Sequence, residues 1–288
     1  MQLPNINFTF IRETGVTKWL IRKSIRDFST RFLKRDNHLR LPTGLPIRLP
    51  KENRFSSELF ITNCDMDWGS EGLLARHLER DGIFLDIGAH MGYYSLYMLP
   101  LVKAVYAFEP DPRARAWLTK NLSPYPSASI VPVAVGARSG RATYVLAPDP
   151  ETSHLSSDSV SDGEVMEVEV ITVDEFVTRF DLRVTAIKID VEGFDIDVVA
   201  GALQTIRKQA PLVLTEAKPE DRLFKLISEL DYAVFAFTRN IKTRGTLFEE
   251  LHPHSAARTK MLFLVPGRLA SEFLRLAAAY QMEARQRA

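Results

Sequence analysis

The chain has 288 residues, of which 45% are hydrophobic and 25% are charged, as in an ordinary globular protein. No apolar run approaches the roughly 18 residues of a membrane-spanning helix, and the start lacks the basic-then-apolar order of a secretory signal. We therefore expect a cytoplasmic protein. The single cysteine, Cys64, excludes an intrachain disulfide and a zinc site built from thiolates.

Positive charge is concentrated at the start of the chain. Residues 1–50 contain ten Lys or Arg and three acids, about +7, which leaves about −6 for the rest. Large apolar residues recur in this segment at helical spacing, namely Ile21, Ile25, Phe28 and Phe32. The spacing predicts a basic amphipathic helix. We favour docking of its apolar stripe on the protein's own core and keep peripheral contact with an anionic membrane, or with an acidic partner, as alternatives.

The domain boundaries follow from composition. Residues 41–50, "LPTGLPIRLP", contain three prolines and a glycine, which indicate a linker. The predicted organisation is an arm and linker over 1–50, a main domain over 51–270 and a C-terminal helix over 271–288.

The main domain alternates between strand-like and helix-like segments from about residue 70, starting with "IFLDIG" and "YYSLYMLPLV". This alternation predicts an α/β fold with a mostly parallel, doubly wound sheet. Two longer strand-like runs bracket a polar stretch at 148–163 and predict a β-hairpin insertion with a mobile loop.

Two acids end the first two strands of this pattern. Doubly wound sheets bind ligands beyond the carboxyl ends of their strands, so these positions are candidate contacts. Asp86 ends the first strand, and Glu109 ends the second, where an acid accepts both hydroxyls of a ribose. The positions predicted to bind the cofactor at these ends are Asp86, Gly88, Ala89, His90, Gly92 and Glu109.

The turn after Asp86 distinguishes between nucleoside cofactors. The dinucleotide fingerprint G-x-G-x-x-G needs glycine at positions 90 and 93, where this chain has His90 and Tyr93. A D-x-G-x-x-x-G turn suits a cofactor that has a cationic amino-acid end and no pyrophosphate. We therefore predict S-adenosylmethionine.

Four segments, in order and spacing, resemble the FkbM-type methyltransferases: "FLDIGAHMGYYSL", "AFEPDPRARAWLTKNL", "ITVDEF" and "IKIDVEGFDIDVVAGA". The resemblance covers roughly residues 70–265. It implies a class I, Rossmann-like fold, for which we expect a seven-stranded sheet, and methyl transfer from S-adenosylmethionine to hydroxyl oxygens of sugars or related natural products. It also implies that Ala134 forms a wall of the adenine pocket.

A second group of side chains is a candidate for catalysis. Methyl transfer to an alcohol needs alignment of the reacting atoms and removal of a weakly acidic proton. Asp190 and Glu216 end two further strands, and Glu192 follows on a turn, where it alternatively only caps a helix. Lys188 shares a strand face with Asp190 and would balance these charges. His154 would reach the acceptor from the insertion.

Asp190 and Glu216 also permit a metal-dependent mechanism. Their positions resemble those of metal-dependent class I O-methyltransferases, in which magnesium lowers the pKa of the acceptor hydroxyl. Lys218, close to Glu216, would compete with a cation. We favour a metal-free mechanism.

The predicted function is O-methylation of a small-molecule or glycan acceptor. A nucleic-acid substrate is disfavoured because the chain lacks an N-P-P-[FYW] motif after the fourth strand and its core is slightly acidic. Two alternatives remain open: methyl transfer to another acceptor, and a non-catalytic protein that binds a membrane or a partner on the same scaffold.

Overall fold

A computed structural model describes residues 14–51, 53–148, 150–155, 164–239, 246–253 and 257–287, together with Ile11 and Ser255. The chain starts with helix α1 (Val16–Asp27), a π-helical turn (Phe28–Phe32) and strands β1 (Asn37–Arg40) and β2 (Pro46–Leu49). The other elements, in chain order, are α2 (Arg54–Thr62), α3 (Ser70–His77), β3 (Ile83–Ile87), α4 (Tyr93–Met98), β4 (Ala104–Phe108), α5 (Pro112–Leu122), β5 (Ala128–Val131), β6 (Ala134–Val135), β7 (Gly140–Leu146), β8 (His154–Leu155), β9 (Glu164–Ile171), α6 (Val173–Arg179), β10 (Val184–Ile189), α7 (Asp195–Ala200), α8 (Leu203–Gln209), β11 (Leu212–Thr215), α9 (Asp221–Ile227), β12 (Tyr232–Arg239), β13 (Thr246–Glu250), β14 (Arg258–Pro266) and α10 (Gly267–Arg287).

The main sheet has the strand order β13-β12-β14-β11-β10-β3-β4-β5. The five strands from β11 to β5 pair in parallel, whereas β14, β12 and β13 pair antiparallel. The prediction of seven strands was therefore wrong, because the described residues form eight. The missed strand, β13, is short, lies at the edge and ends in two glutamates, so its sequence shows no clear alternation.

Helices cover both faces of this sheet, as the alternating pattern predicted. Successive strand residues point to opposite sides, so Phe84 packs in one apolar core and Leu85 in the other. The first core lies under α2 to α5 and α10, and the second lies under α6 to α9. Among the residues that the structure describes, every helix is too short or too polar to span a bilayer.

The predicted insertion forms a smaller sheet with the order β6-β9-β7-β8. Strands β7 and β9 pair antiparallel along their whole length, which confirms the hairpin. The predicted loop lies partly outside the described residues, since 149 and 156–163 are not described. The described part adds a short 3-10 turn and β8, which pairs with β7.

The prediction of a linker at 41–50 was wrong, because this segment completes a hairpin that packs on the first core. Leu41, Ile47 and Leu49 are at most 2% exposed. The prolines do not prevent pairing, since Pro42 lies in the turn and Pro46 is the first residue of β2.

The favoured orientation of α1 was also wrong. Ile21, Ile25 and Phe28, on the predicted apolar stripe, are 54–56% exposed. The opposite face docks instead: Arg26 is 3% exposed, and Arg22 Nε donates a hydrogen bond to the Phe60 carbonyl at 2.6 Å. Periodicity identified the two faces of the helix correctly but not which face contacts the protein.

The Asn121 side chain connects the hairpin to the main domain. Asn121 is buried; its Oδ1 accepts from the Arg48 amide at 3.0 Å, and its Nδ2 donates to the carbonyls of Arg48 and Met91 at 3.2 and 2.9 Å. The substitution Asn121→Ala leaves these buried backbone groups without partners. We expect it to lower the free energy of unfolding by about 2 kcal/mol, measured by denaturant unfolding.

Gln204→Ala, at an exposed helical position, is the control and should change the free energy of unfolding by less than about 0.5 kcal/mol. Equal stability of the two variants would show that the hydrogen bonds of Asn121 do not stabilise the fold.

Candidate active site

The carboxyl ends of β3, β4, β10 and β11 surround a cavity of about 270 Å³. Since the ends of parallel strands meet at one edge, side chains far apart in sequence meet here. Eleven of the twelve site residues predicted from sequence line this cavity: Asp86, Gly88, Ala89, His90, Glu109, Ala134, His154, Lys188, Asp190, Glu192 and Glu216.

Gly92, the remaining predicted residue, has a structural position instead. It precedes α4 with φ +91°, and a Cβ there would lie 2.8 Å from Leu118 Cδ1 on α5. Gly92 therefore allows two helices to pack closely and does not line the cavity.

The Lys188 ammonium lies at the centre of the charged groups. It is 3.6 Å from Asp86 Oδ1 and 3.3 Å from Asp190 Oδ2, and it donates a hydrogen bond to the Gly88 carbonyl at 2.8 Å. Burial would lower the pKa of Lys188, but the carboxylates of Asp190 and Asp86 outweigh burial and raise it. Lys188 therefore stays cationic.

The turn after β3 requires glycine at position 88. Gly88 has φ +74°, and a Cβ there would lie 1.8 Å from the Asp190 carbonyl oxygen. No other residue fits without moving the end of β10. The two strand ends, one predicted to hold the cofactor and the other to hold the acceptor, therefore pack directly on each other.

The carboxylate of Glu109 is held by backbone amides. Its Oε2 accepts from His90 N and its Oε1 from Asp111 N, both at 2.8 Å. Burial raises the pKa of Glu109 to about 7, although both hydrogen bonds act in the opposite direction. His90 has φ +50°, an uncommon conformation that this contact helps to hold.

Asp190, Glu192 and Glu216 form a cluster of acids at the cavity. Burial raises the pKa of Glu216, and the nearby Asp190 carboxylate raises it further. Burial would also raise the pKa of Asp190, but the Lys188 ammonium and a hydrogen bond with Glu216 outweigh burial and lower it. Asp190 and Glu216 therefore share one proton, with Asp190 as the ionised partner.

The same three acids could hold a cation. One carboxylate oxygen from each lies within 4.8 Å of the others, a spacing compatible with a divalent ion. The cluster can therefore hold either a shared proton or a metal ion.

His154 reaches the cavity from the insertion, whose base is fastened to the main domain. Ser153 Oγ donates to Asp111 Oδ2 at 3.2 Å and accepts from Arg113 Nη2 and the Ala147 amide, both at 3.1 Å. The His154 ring contacts the Thr152 carbonyl at 3.0 Å. The insertion is thus an integral wall of the cavity in its described part.

Comparison with known proteins assigns the family. A family model, the methyltransferase FkbM domain, matches residues 86–240, more than half of the chain. The chain belongs to the FkbM methyltransferase family. This confirms the resemblance seen in the sequence.

A curated relative is the 2-O-methyltransferase NoeI of Sinorhizobium fredii, 30% identical over 150 residues. The match covers 44% of this chain and 60% of NoeI, so it spans less than two thirds of that relative. Among solved structures, the methyltransferase FkbM from Methylobacillus flagellatus KT has 14% identity and a TM-score of 0.42, over 89% of this chain and 60% of that one. The tRNA m1G37 methyltransferase of M. jannaschii has 15% identity and a TM-score of 0.43, over 80% and 55% of the two chains.

Sequence reasoning missed several residues that line the cavity of this FkbM methyltransferase. Tyr94 donates a hydrogen bond to Asp67 Oδ2 at 2.6 Å, and its ring lies 5.5 Å from Lys188 Nζ. The other missed residues include Phe55, Tyr144 and Lys260. Phe55, Tyr144 and Lys260 lie on elements outside the parallel βα units, so the pattern of polar residues at strand ends could not predict them. For Tyr94, the "YY" pair after the turn that follows β3 was the one local signal.

The buried acid Glu71 stabilises the part of the cavity wall that contains Met66, Asp67 and Tyr93. Glu71 Oε1 accepts hydrogen bonds from the amides of Met66 and Asp67 and from Tyr93 Oη, at 2.6, 2.9 and 3.0 Å. Its Oε2 is buried and receives no hydrogen bond from the described residues. Burial, followed by the nearby Asp67, raises the pKa of Glu71 to about 8.

This raised pKa predicts a pH-dependent stability. The folded state holds the Glu71 proton more tightly than the unfolded chain, so stability is lost as pH rises from about 4.5 to about 8. Glu71→Gln removes this loss. Its stability relative to wild type should therefore increase with pH across this window, by up to about 1.4 kcal/mol per pH unit, in denaturant unfolding at several pH values.

Glu79→Gln, at an exposed position, is the control and should show no such trend. A stability difference for Glu71→Gln that stays constant with pH would mean that Glu71 is ionised in the folded protein.

Proposed function

We propose that this FkbM methyltransferase transfers a methyl group from S-adenosylmethionine to a hydroxyl oxygen of a carbohydrate or related natural product. The observation that carries the proposal is the meeting of Asp86 and Glu109 with the Asp190–Glu216 pair around one cavity. The name of NoeI, a 2-O-methyltransferase, supports oxygen as the accepting atom.

The residues at the ends of β3 and β4 fit this cofactor. Asp86 Oδ1 is buried and receives no hydrogen bond from any residue in the described part of the chain. Each Glu109 oxygen accepts one backbone amide and keeps a lone pair for a ribose hydroxyl. Asp86, Glu109 and the backbone at Gly88 and Ala89 would hold the cofactor, which supplies an electrophilic methyl group when bound.

The acceptor hydroxyl would lie near Asp190. The ionised Asp190 would accept the hydroxyl proton as the oxygen becomes an ether, and Lys188 would keep Asp190 ionised before the reaction. Glu216, which holds the shared proton, would orient Asp190 or donate to a second acceptor oxygen. Tyr94 and Tyr144 would limit access of water.

We keep the metal-free mechanism as the proposal. The Lys188 ammonium, 3.3 Å from Asp190 Oδ2, already neutralises the carboxylate that a divalent ion would need, and it would repel such an ion. Loss of activity with a chelator, restored only by magnesium, would instead make Asp190 and Glu216 metal ligands.

Asp190→Asn tests the proposed role of Asp190. We expect kcat to fall by roughly 10²–10⁴-fold because the amide cannot accept the proton. Binding of S-adenosylmethionine, measured by calorimetry, should change little because Asp190 is assigned to the acceptor. Activity is followed by transfer of a labelled methyl group to a panel of glycans and phosphorylated sugars.

Asp197→Asn, at a half-buried position of α7 that pairs with Arg222, is the matched control and should keep wild-type activity. Absence of calorimetric binding of S-adenosylmethionine to the wild type would remove the enzyme mechanism and favour a non-catalytic protein on this scaffold.

A further inference from the structure

Three cationic side chains surround the ring of Trp68. The guanidinium carbons of Arg239 and Arg258 lie 4.5 and 5.4 Å from the ring centroid, and Lys260 Nζ lies 5.8 Å from it. We call these four residues the cationic cluster. No step of methyl transfer assigned above uses it.

The cluster concentrates like charge, although its members also have contacts within the chain: Arg239 Nε donates to Thr246 Oγ1 at 3.0 Å, and Lys260 Nζ donates to the Met66 carbonyl. Arg239 and Arg258 are direct partners across the antiparallel strands β12 and β14, and Lys260 lies on the same face two residues further along. Like charges directly opposite each other destabilise a sheet. Trp68 is buried with φ +59°, a strained conformation for a bulky residue. Unfavourable features of this kind gather at binding sites.

The cluster lies beside the catalytic cavity. Strand β12 ends and β14 begins at the same edge where the parallel strands end, since β14 is antiparallel to β11. A small groove lined by Trp68, Arg239 and Lys260, with Lys18 and Asp65 among its other residues, shares Met66 and Lys260 with the catalytic cavity. A molecule held in the cavity can therefore extend to the cluster.

We propose that the cationic cluster binds a phosphate group carried by the acceptor, next to the hydroxyl that is methylated. This inference rests on the proposed function. Two guanidinium groups provide the paired donors that suit a phosphate, and an ammonium adds a third positive charge. A free sugar phosphate, a sugar nucleotide and a lipid-linked sugar phosphate share this chemistry.

The direct test is binding of inorganic pyrophosphate, measured by calorimetry. We expect the double variant Arg239→Gln, Arg258→Gln to bind at least tenfold more weakly than wild type. Arg141→Gln, which removes an exposed arginine paired with Glu167 on the smaller sheet, is the control and should bind like wild type. Equal binding by wild type and the double variant, or no binding by wild type, would overturn the site.

Two further measurements separate a binding role from a structural one. The melting temperature of the double variant should stay close to that of the wild type, because relief of the repulsion between the two arginines offsets their lost contacts with Trp68 and Thr246. A structural role would lower it. Binding of S-adenosylhomocysteine should not change, which shows that the catalytic cavity is intact.

Kinetics with acceptors then identify the ligand. The double variant should raise KM for phosphorylated acceptors at least tenfold, with a smaller effect on kcat and none on neutral acceptors. Soluble and lipid-linked sugar phosphates, assayed in parallel, distinguish the source of the phosphate. A preference for uronic acids over phosphates would overturn the ligand class. If the wild type transferred a methyl group to none of these acceptors, the proposed function would be contradicted. Binding of pyrophosphate would still establish the phosphate site.

A second inference concerns the exposed side of α1 and the turn that follows it. Seven large apolar side chains there, which we call the apolar stripe, are each at least 50% exposed: Val16, Leu20, Ile21, Ile25, Phe28, Phe32 and Leu33. The opposite face is fixed to the domain, because Arg26 donates hydrogen bonds to the Pro50 carbonyl at 3.0 Å and to Ser57 Oγ at 2.8 Å. The stripe cannot turn inward without breaking these contacts.

Exposed basic residues flank the stripe, among them Lys18, Arg31, Lys34 and Arg35. An apolar stripe with basic flanks fits the boundary between the headgroups and acyl chains of an anionic bilayer. We infer that α1 lies on such a surface and attaches the enzyme there peripherally.

Vesicle flotation tests this attachment. Wild type should float with vesicles containing roughly a third phosphatidylglycerol, less with pure phosphatidylcholine, and less at high salt. The double variant Phe28→Ser, Phe32→Ser should float at least tenfold less. Phe180→Ser, which removes a phenylalanine that is 53% exposed elsewhere, is the control and should float like wild type.

Failure of the wild type to float with anionic vesicles would overturn the inference. If the double variant instead converts a dimer into a monomer in light scattering, and no form floats, the stripe binds a second copy of the chain.

Discussion

The buried ammonium of Lys188 is the contact on which the whole site depends. Asp86 and Asp190 end neighbouring strands, and without a cation between them their charges would repel each other in surroundings of low dielectric constant. The parallel register places Lys188 opposite Asp86, so the ammonium can contact both carboxylates and the Gly88 carbonyl. Two acids, for which different roles are proposed above, can therefore occupy adjacent strand ends in one cavity.

This arrangement also joins the two halves of the site mechanically. The backbone at Gly88 approaches the Asp190 carbonyl so closely that no Cβ fits between them. The Lys188 ammonium bonds to the same turn and faces Asp190. Movement of the turn after β3, where the cofactor is proposed to bind, would therefore also move the Asp190 carboxylate, which is proposed to face the acceptor. A preorganised unit of this kind suits a displacement reaction, in which misalignment by about 1 Å reduces the rate strongly.

The sequence pattern correctly predicted those features that depend on residues close together in the chain. Asp86, Glu109 and Asp190 were correctly predicted to lie at one cavity, because the carboxyl ends of parallel strands meet at the edge of the sheet where ligands bind. The errors came from contacts between distant segments. The segment at 41–50 looked like a linker because its prolines dominate its composition, yet burial of Ile47 and Leu49 decides its structure. Likewise, the buried contacts of Arg22 and Arg26, which orient α1, involve carbonyls more than 20 residues away.

The proposals on acceptor recognition and on membrane attachment rely mostly on residues outside the segment that carries the proposed methyl transfer. The family match covers residues 86–240 and includes the turn after β3, Lys188, Asp190 and Glu216. Of the cationic cluster, Arg239 lies within this match, whereas Trp68, Arg258, Lys260 and all of α1 lie outside it. Methyl transfer makes similar demands on an active site whatever the acceptor, whereas recognition of an acceptor and of a cellular surface must differ between enzymes. A shared fold with separate recognition elements at its sheet edge and its arm meets both demands, because those elements can change without moving Lys188 or the two strand ends that it joins.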